Sequence, residues 1–254
     1  MKIQDYLSRI DFDGKIISPS AKTLHALQFP HMKSVPFENL DISLGRKIHL
    51  DLKSLWNKII IKKRGGFCYE LNGLFAWLLK EIGFDVTYLN ARVYSKKNNA
   101  FGIDFDHLVL LVKVPNESTR WLADAGFGDS FTQPLEIDNI NWQNQVLRSY
   151  RLEPHERGYQ LWQKGYGGKT DRLYYFDLTA HSFPFEYEAG CLYHQTSPNS
   201  SFTKNRIISR ATEDGRISLD NDELIITKQG RQTRLPIRED ERAYLLKEHF
   251  GVIL

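Results

Sequence analysis

Apolar positions recur along this chain with two periods, and the change from one to the other divides it. In the first third the spacing is helical. Tyr6, Leu7 and Ile10 make a short apolar face, and SPSAKTLHALQFPHM (Ser18 to Met32) predicts a helix opened by Ser and Pro and stopped by Pro30. VPFENLDISLG (Val35 to Gly45) predicts a loop, and DLKSLWNKIIIK (Asp51 to Lys62) an amphipathic helix. From Cys68 onward, Leu71, Leu74, Phe75, Leu78, Leu79 and Ile82 fall at i, i+3, i+4, i+7, i+8 and i+11, a core-facing helix with Gly83 suited to end it.

The middle reads with strand character. VTYLNARVYS, DHLVLLVKV, RWLADAGF, QVLRSYRLE, YQLWQKG and RLYYFDLT are short, rich in β-branched and aromatic residues, and separated by Gly, Asn, Asp and Pro. Their spacing predicts a small barrel or a strongly curved antiparallel sheet. The last part mixes a helix around EYEAGCLYHQT, a hairpin in RIISRATEDGRISLD with Asp214-Gly215 at its turn, and a closing helix in REDERAYLLKEHFG. Helices, then strands, then a mixed end predict an α+β fold.

Composition narrows the function classes. The chain has 254 residues, 41% apolar and 26% charged, with a formal charge of +3, which is too small to argue for nucleic acid or a membrane surface. A small anionic ligand is compatible with it. Two cysteines allow neither a disulfide framework nor a four-thiolate metal site. The N-terminus, MKIQDYLSRIDFDG, lacks an apolar signal-peptide core, and no uncharged run approaches the ~20 residues a span needs, so the expected location is cytoplasmic.

One of the cysteines carries candidate chemistry. RGGFCYELN (Arg64 to Asn72) sets Cys68 after two glycines and at the start of a helix, where unpaired N–H groups and the helix dipole favour a thiolate. A cysteine nucleophile needs a histidine base and a group to orient that base. Of eight histidines, His31 follows Pro30 in a loop, His49 precedes a helix, and His249 sits in the closing helix. His107 opens the strand DHLVLLVKV, at a rigid end from which its ring can face a cleft. Asp124, in the apolar setting of WLADAGFG, needs a partner, and in an antiparallel pair of strands it would accept from His107. Each of the three taken singly has an ordinary structural reading: a core thiol, a structural histidine, a turn residue.

The strings together are more specific than the triad. VPFENL, RGGFCYELN, FDHLVLLV, ADAGFG and HQTSPNSSF (His194 to Phe202) occur in the order and approximate spacing of the arylamine N-acetyltransferases, and the chain resembles the bacterial type of that family from about Tyr6 to Phe202. The resemblance implies an N-terminal helical bundle over 1–84 carrying the nucleophile, an antiparallel β-barrel over 85–184 carrying His and Asp, and an α/β lid over 185–254, around a cysteine-protease-like core. It implies Cys68 as nucleophile, His107 as base and Asp124 as the residue orienting that base. The implied chemistry is ping-pong: acetyl-CoA, the acyl-donor substrate, acylates the cysteine, and an arylamine, arylhydrazine or hydrazide takes the acetyl group. Gly126, Phe127 and Gly128 resemble the family's loop beside the CoA cleft, Phe202 resembles an aromatic lining the CoA or acceptor cleft, and Phe37, with Phe127, resembles an aromatic of the acceptor pocket. Glu38 and Arg64 are expected to form a supporting ion pair. No metal, prosthetic group, nucleic acid or membrane partner is implied.

Two departures stand out: Ala125 where many members carry valine, and an early end after the closing helix, which bears on the lid's share of CoA binding. KGYGGKT (Lys164 to Thr170) mimics a phosphate loop but lacks the first glycine and reads as a hairpin connection. Cys191 reads as core, and Lys62-Lys63-Arg64 as a solvated helix end. An amide synthase or another acyl-CoA-dependent N-acyltransferase using the same triad is the alternative enzyme. A peptide hydrolase of the papain or transglutaminase type and a non-catalytic binder of CoA or aromatics complete the set. Oligomeric state stays open.

Overall fold

The structure is a computed structural model and describes residues 1–14 and 18–254. Its N-terminal part holds helices α1 (Ile3–Arg9) and α2 (Ala21–Ser34), a two-residue strand β1 (Phe37–Glu38), and helices α3 (Leu40–Ser43), α4 (Leu52–Trp56) and α5 (Cys68–Ile82). Ser20 caps α2, its hydroxyl accepting from the Thr23 N–H at 3.1 Å, and Asp51 caps α4 through the Ser54 N–H at 2.9 Å. Helix α4 runs on into a π-helical turn, Asn57–Ile61. Helix α5 ends at Gly83, whose φ of 106° closes it. Every residue from Cys68 to Leu79 is buried, so α5 is a central helix wrapped on all sides.

Two expectations for this part are corrected. Pro30 does not stop α2, which continues to Ser34 and leaves His31 inside the helix. A proline removes only one hydrogen bond, and burial of the final turn outweighs that loss. Within it the Tyr6 hydroxyl and His31 Nδ1 lie 2.8 Å apart, and His31 packs on Phe75 with ring centroids 5.3 Å apart. Burial pushes the His31 pKa down to about 3, so this histidine is a neutral core residue. The segment VPFENL is likewise no simple loop, because Phe37 and Glu38 add a strand to the C-terminal sheet.

The middle of the chain forms β2 (Asp85–Ser95), β3 (Ala100–Phe101), β4 (His107–Lys113), β5 (Arg120–Ala123), β6 (Leu135–Glu136), β7 (Gln143–Asn144), β8 (Ser149–His155), β9 (Gly158–Lys164) and β10 (Thr170–Asp177). They pair antiparallel in the order β6-β5-β4-β2-β10-β9-β8-β7, with β3 on β2. The two outermost strands are tied by the Gln143 side chain. It accepts from the Glu136 N–H at 2.9 Å and donates to the Glu136 carbonyl at 2.9 Å, so the sheet is a nearly closed barrel. Strand β4 explains its own uninterrupted apolar run. Leu108, Leu110 and Val112 pack on the helices, while Val109 and Leu111 fill the barrel.

The C-terminal part comprises α6 (Glu188–Thr196), β11 (Ile207–Thr212), β12 (Gly215–Asp220), β13 (Glu223–Lys228), β14 (Arg231–Pro236) and α7 (Arg242–Phe250). Its sheet runs β1-β11-β12-β13-β14, and Leu246 and Phe250 of α7 pack with Ile208, Leu219 and Leu224 on one face. The β11–β12 turn is Glu213-Asp214 and not Asp214-Gly215, because Thr212 pairs with Gly215, which already belongs to the strand. The whole is α+β, as the order of periods predicts, with the barrel between helices and lid.

Candidate active site

The corner that carries Cys68 is held from behind by backbone. Gly65 and Gly66 both keep negative φ, so these glycines serve close packing and not an unusual turn. A Cβ on Gly65 would lie 1.9 Å from the Pro36 carbonyl oxygen, which only glycine tolerates. The Glu38 N–H donates to the Gly66 carbonyl at 2.8 Å, and the Gly66 N–H to the Pro36 carbonyl at 3.3 Å. The chain thus enters α5 along β1, with Phe67 in an extended conformation at the N-cap. Glu70, in the first turn, accepts from the Phe67 N–H at 3.1 Å.

Glu70 belongs to a buried ion network beneath the corner. Lys58 Nζ lies 2.8 Å from both Glu70 and Asp41, and Arg64 donates to Glu38 at 2.8 and 3.0 Å and to Asp41 at 3.1 Å. The expected Glu38–Arg64 pair is therefore present, but as part of a five-residue network. Arg64 is not a solvated helix end: it is buried, while Lys62 and Lys63 are exposed. Removing one partner of such a network strands the other, at about 3–5 kcal/mol. Burial pushes the Glu70 carboxyl up to about 7, against the pull of Lys58.

His107 opens β4 and Asp124 follows the last residue of β5, neighbouring strands in which Leu110 faces Ala123. That register brings His107 Nε2 to 2.8 Å from Asp124 Oδ2. Three further donors converge on the same carboxylate: Asn72 Nδ2 at 2.8 Å, the Gly126 N–H at 2.9 Å and the Tyr174 hydroxyl at 3.1 Å. Burial, with Asp124 adding to it, raises the Tyr174 pKa well above the usual tyrosine value, so the phenol keeps its proton and donates. Asn72 also donates to the Leu108 carbonyl at 2.6 Å and accepts from the Ala125 N–H at 2.8 Å. One fully buried amide thereby locks the Cys68 helix to both strands that carry the His–Asp pair.

The loop after Asp124 presses on the corner itself. A Cβ on Gly126 would lie 2.9 Å from the Cys68 Cα and carbonyl oxygen, so a side chain there would push loop and helix apart. Phe127 sets its ring edge-on to His107, with centroids 5.1 Å apart. Phe37 and Phe202 are 6.0 Å apart, and Phe202 lies 5.9 Å from Phe67. Cys68, His107, Gly126, Phe127, Gly128, Phe37 and Phe202 all line one cleft of about 460 Å³, walled on the other side by β11–β13. Asp124 stands behind His107, fully buried.

The electrostatics qualify the helix-terminus argument. Burial pushes the Cys68 thiol well above its ordinary pKa; a hydrogen bond from the Leu108 backbone opposes this, and the charges of Asp106 and Asp124 add to it. A helix N-terminus alone therefore does not offset the cost of ionising this thiol, and a thiolate here would need a positive partner.

Sequence reasoning missed Asn72, Tyr174, Lys58 and Glu70. Asn72 had a signal, since it falls one helical turn after Cys68 and so on the same face. Tyr174 had none, because its reach to Asp124 depends on how β10 crosses the barrel. Cys191 is buried, as the core reading expects, with Gln195 Nε2 3.2 Å from its sulfur.

Comparisons with known proteins bear on this arrangement. A family model described as N-acetyltransferase matches residues 20–254. An arylamine N-acetyltransferase of Mycolicibacterium smegmatis is 34% identical, the match covering 100% of this chain and 93% of that protein. The pineal gland isozyme NAT-10 of Gallus gallus is 34% identical over 100% of this chain and 95% of its own length. Among solved structures, M. smegmatis arylamine N-acetyl transferase superposes with a TM-score of 0.92 at 32% identity, covering 99% of this chain and 92% of that one. The Mycobacterium marinum arylamine N-acetyltransferase in complex with CoA gives a TM-score of 0.91 at 28% identity, covering 99% and 93%.

Proposed function

This chain belongs to the arylamine N-acetyltransferase family, and from that premise we propose that it moves an acetyl group from acetyl-CoA to the nitrogen of an arylamine, arylhydrazine or hydrazide through an acetyl-cysteine at Cys68. The observation that carries this reading is the joint placement of Cys68 and the His107–Asp124 couple on one cleft that also presents Phe37, Phe127 and Phe202. The CoA-bound relative supports the donor class. The division at about 84 and 184 into bundle, barrel and lid belongs to the same proposal, with the cleft where the three parts meet.

His107 is the base and Asp124 the residue that orients it. Nε2 is engaged with Asp124, so Nδ1 is the nitrogen that serves Cys68. The Sγ proton moves to Nδ1, and the thiolate attacks the thioester carbonyl. The carbonyl–sulfur bond to CoA breaks, and His107 returns the proton to the departing CoA thiolate. The imidazolium formed between the two transfers supplies the positive charge that the buried thiolate needs. In the second half, a neutral arylamine nitrogen attacks the acetyl carbonyl of Cys68 and loses its proton to His107, and Sγ leaves. Thioester exchange is close to balanced, so the demand on the protein is positioning and oxyanion stabilisation. The first N–H groups of α5, including that of Cys68, have no intrahelical partner and suit that role. A cytoplasmic location and small-molecule partners only, without nucleic acid or membrane, complete the reading. No described helix is long and apolar enough to cross a membrane.

The test is intact-protein mass after brief exposure to acetyl-CoA without acceptor, beside Cys68→Ala. An acetyl adduct on the native protein alone, discharged by an added arylamine, is the expected result. Equal acetylation of Cys68→Ala overturns the assignment of Cys68, and an adduct formed only with a different acyl-CoA replaces acetyl as the donor group.

A further inference from the structure

The wall of the cleft opposite Cys68 carries a cation that the transfer chemistry does not use. Arg216, on β12, lines the same cleft as Cys68 and Phe37, with its side chain only 11% exposed. Its Nε donates to Asp129 Oδ1 at 3.2 Å and its Nη1 to Ser209 Oγ at 2.8 Å. Among the described residues Nη2 has no protein acceptor. Arg148 spends both of its terminal nitrogens on the same Asp129, at 3.0 and 2.9 Å. Two guanidiniums therefore share one carboxylate, and the cluster keeps a net positive charge. Burial lowers the Arg216 pKa; Asp129 opposes that shift and Arg148 adds to it, so the charge is held at an electrostatic cost that an incoming anion would relieve.

We propose that Arg216, braced by Asp129 and Ser209, receives an acidic substituent on the ring of the acceptor, a carboxylate above all, and so selects anionic arylamines. The proposal rests on the acetyl-transfer reading above. The ladder of strands sets the length. Gly66 pairs with Phe37 and Phe37 with Ser209, so the serine under Arg216 lies two strand spacings, roughly 10 Å, from the nucleophile corner. An aromatic amine attacking from about 3 Å, with an acid group para to its nitrogen, spans a similar length. The pyrophosphate of CoA hangs from a pantetheine arm that reaches ~15 Å when extended, by the same measure of chain length, and overshoots this position. Asp220 shares the strand face with Arg216 but lies four residues along, about 13 Å away, too far to serve as its counter-ion. Asp106 also faces the cleft, beside His107, where it pairs with His194 at 3.2 Å.

The experiment compares 4-aminobenzoate with its neutral isostere 4-aminobenzamide as acceptors, in the native protein, Arg216→Met and Arg216→Lys. The readouts are kcat/KM for each acceptor and, separately, the rate of acetyl-adduct formation at subsaturating acetyl-CoA. A charge-assisted hydrogen bond lost at a buried site predicts that the acid-to-amide ratio falls about 10- to 100-fold in Arg216→Met, with partial recovery in Arg216→Lys. An unchanged ratio overturns the proposal. So does an equal loss for both acceptors that follows the adduct-formation rate, which would assign the anion to CoA's phosphates. If Arg216→Met does not fold, benzoate and benzamide are compared as inhibitors of adduct discharge in the native protein. Benzoate is expected to inhibit at a concentration at least about tenfold lower, and equal inhibition overturns the proposal. Failure of the transfer reading is separate, since it appears as a native protein that forms no adduct at all.

Discussion

Tyr174→Phe isolates a single contact in the candidate site. The change deletes one hydroxyl and leaves the ring, whose centroid lies 5.4 Å from His107 and 5.2 Å from Phe127, free to keep its packing. The lost bond is the 3.1 Å donation to Asp124 Oδ2, the oxygen that also faces His107. Asp124 retains Asn72, the Gly126 N–H and His107, so the carboxylate is loosened and not stranded. A hydrogen bond to a charged group contributes about 1.5–3 kcal/mol, and with three donors remaining the lower end applies. If the bond serves to hold Asp124 against His107, about 1.5 kcal/mol appears in the transition state as roughly a tenfold slower acetylation of Cys68. Stability falls by a similar amount, about 3–6 °C in Tm for a chain of this size. Rapid-quench mass measurement of the adduct at several pH values reads the rate, and thermal unfolding reads the stability. A Tm that falls while the acetylation rate and its pH profile stay as in the native protein refutes the argument, leaving Tyr174 a barrel residue only.

Two further outcomes follow from the electrostatics. Burial raises the Cys68 pKa, so if His107 takes the thiol proton as proposed, His107→Asn is expected to slow alkylation by iodoacetamide at pH 7 at least about a hundredfold, and to move the reactive range to alkaline pH. Comparable alkylation of the two proteins at pH 7 would show that His107 does not activate the thiol. Burial raises the folded pKa of Glu70 from the ordinary glutamate value near 4.5 to about 7, so between those values the folded state holds the extra proton. Stability should therefore fall as pH rises from about 4.5 to about 7, by an amount on the order of 1–3 kcal/mol, and level off above that. Urea unfolding of the native protein and Glu70→Gln across this range measures the difference; parallel pH profiles would remove Glu70 as its source.

How much of this was legible in the chain depends on the range of each interaction. The helix α5, the end at Gly83 and the strand character of the middle follow from spacings of a few residues, which local geometry translates directly. The failures were local signals overruled from a distance. Pro30 reads as a stop, yet Tyr6 and Phe75 bury His31 and carry the helix past it. VPFENL reads as a loop because two residues are too few to show a period, and Phe37 becomes a strand only when Gly66 and Ser209 flank it. The hairpin turn moved by one residue because pairing with β13 holds Gly215 in the strand.

The amino-acid string by itself determined which side chains are candidates for the chemistry, since a cysteine after two glycines at a helix start, a histidine at a strand end and an aspartate before a glycine loop are one-dimensional facts. Tertiary structure alone decided that they meet. The antiparallel register of β4 and β5 sets His107 on Asp124, the amide of Asn72 ties that pair to the Cys68 helix, and β10 brings in Tyr174. It also decided the sign of the cysteine's problem: at a helix start the sequence argues for an easier thiolate, while burial among apolar neighbours and two carboxylates raises the cost of that charge. The reason is physical. Desolvation and charge depend on everything within several ångströms, and at Cys68 those neighbours include Asp124 and Cys191, brought from distant parts of the chain.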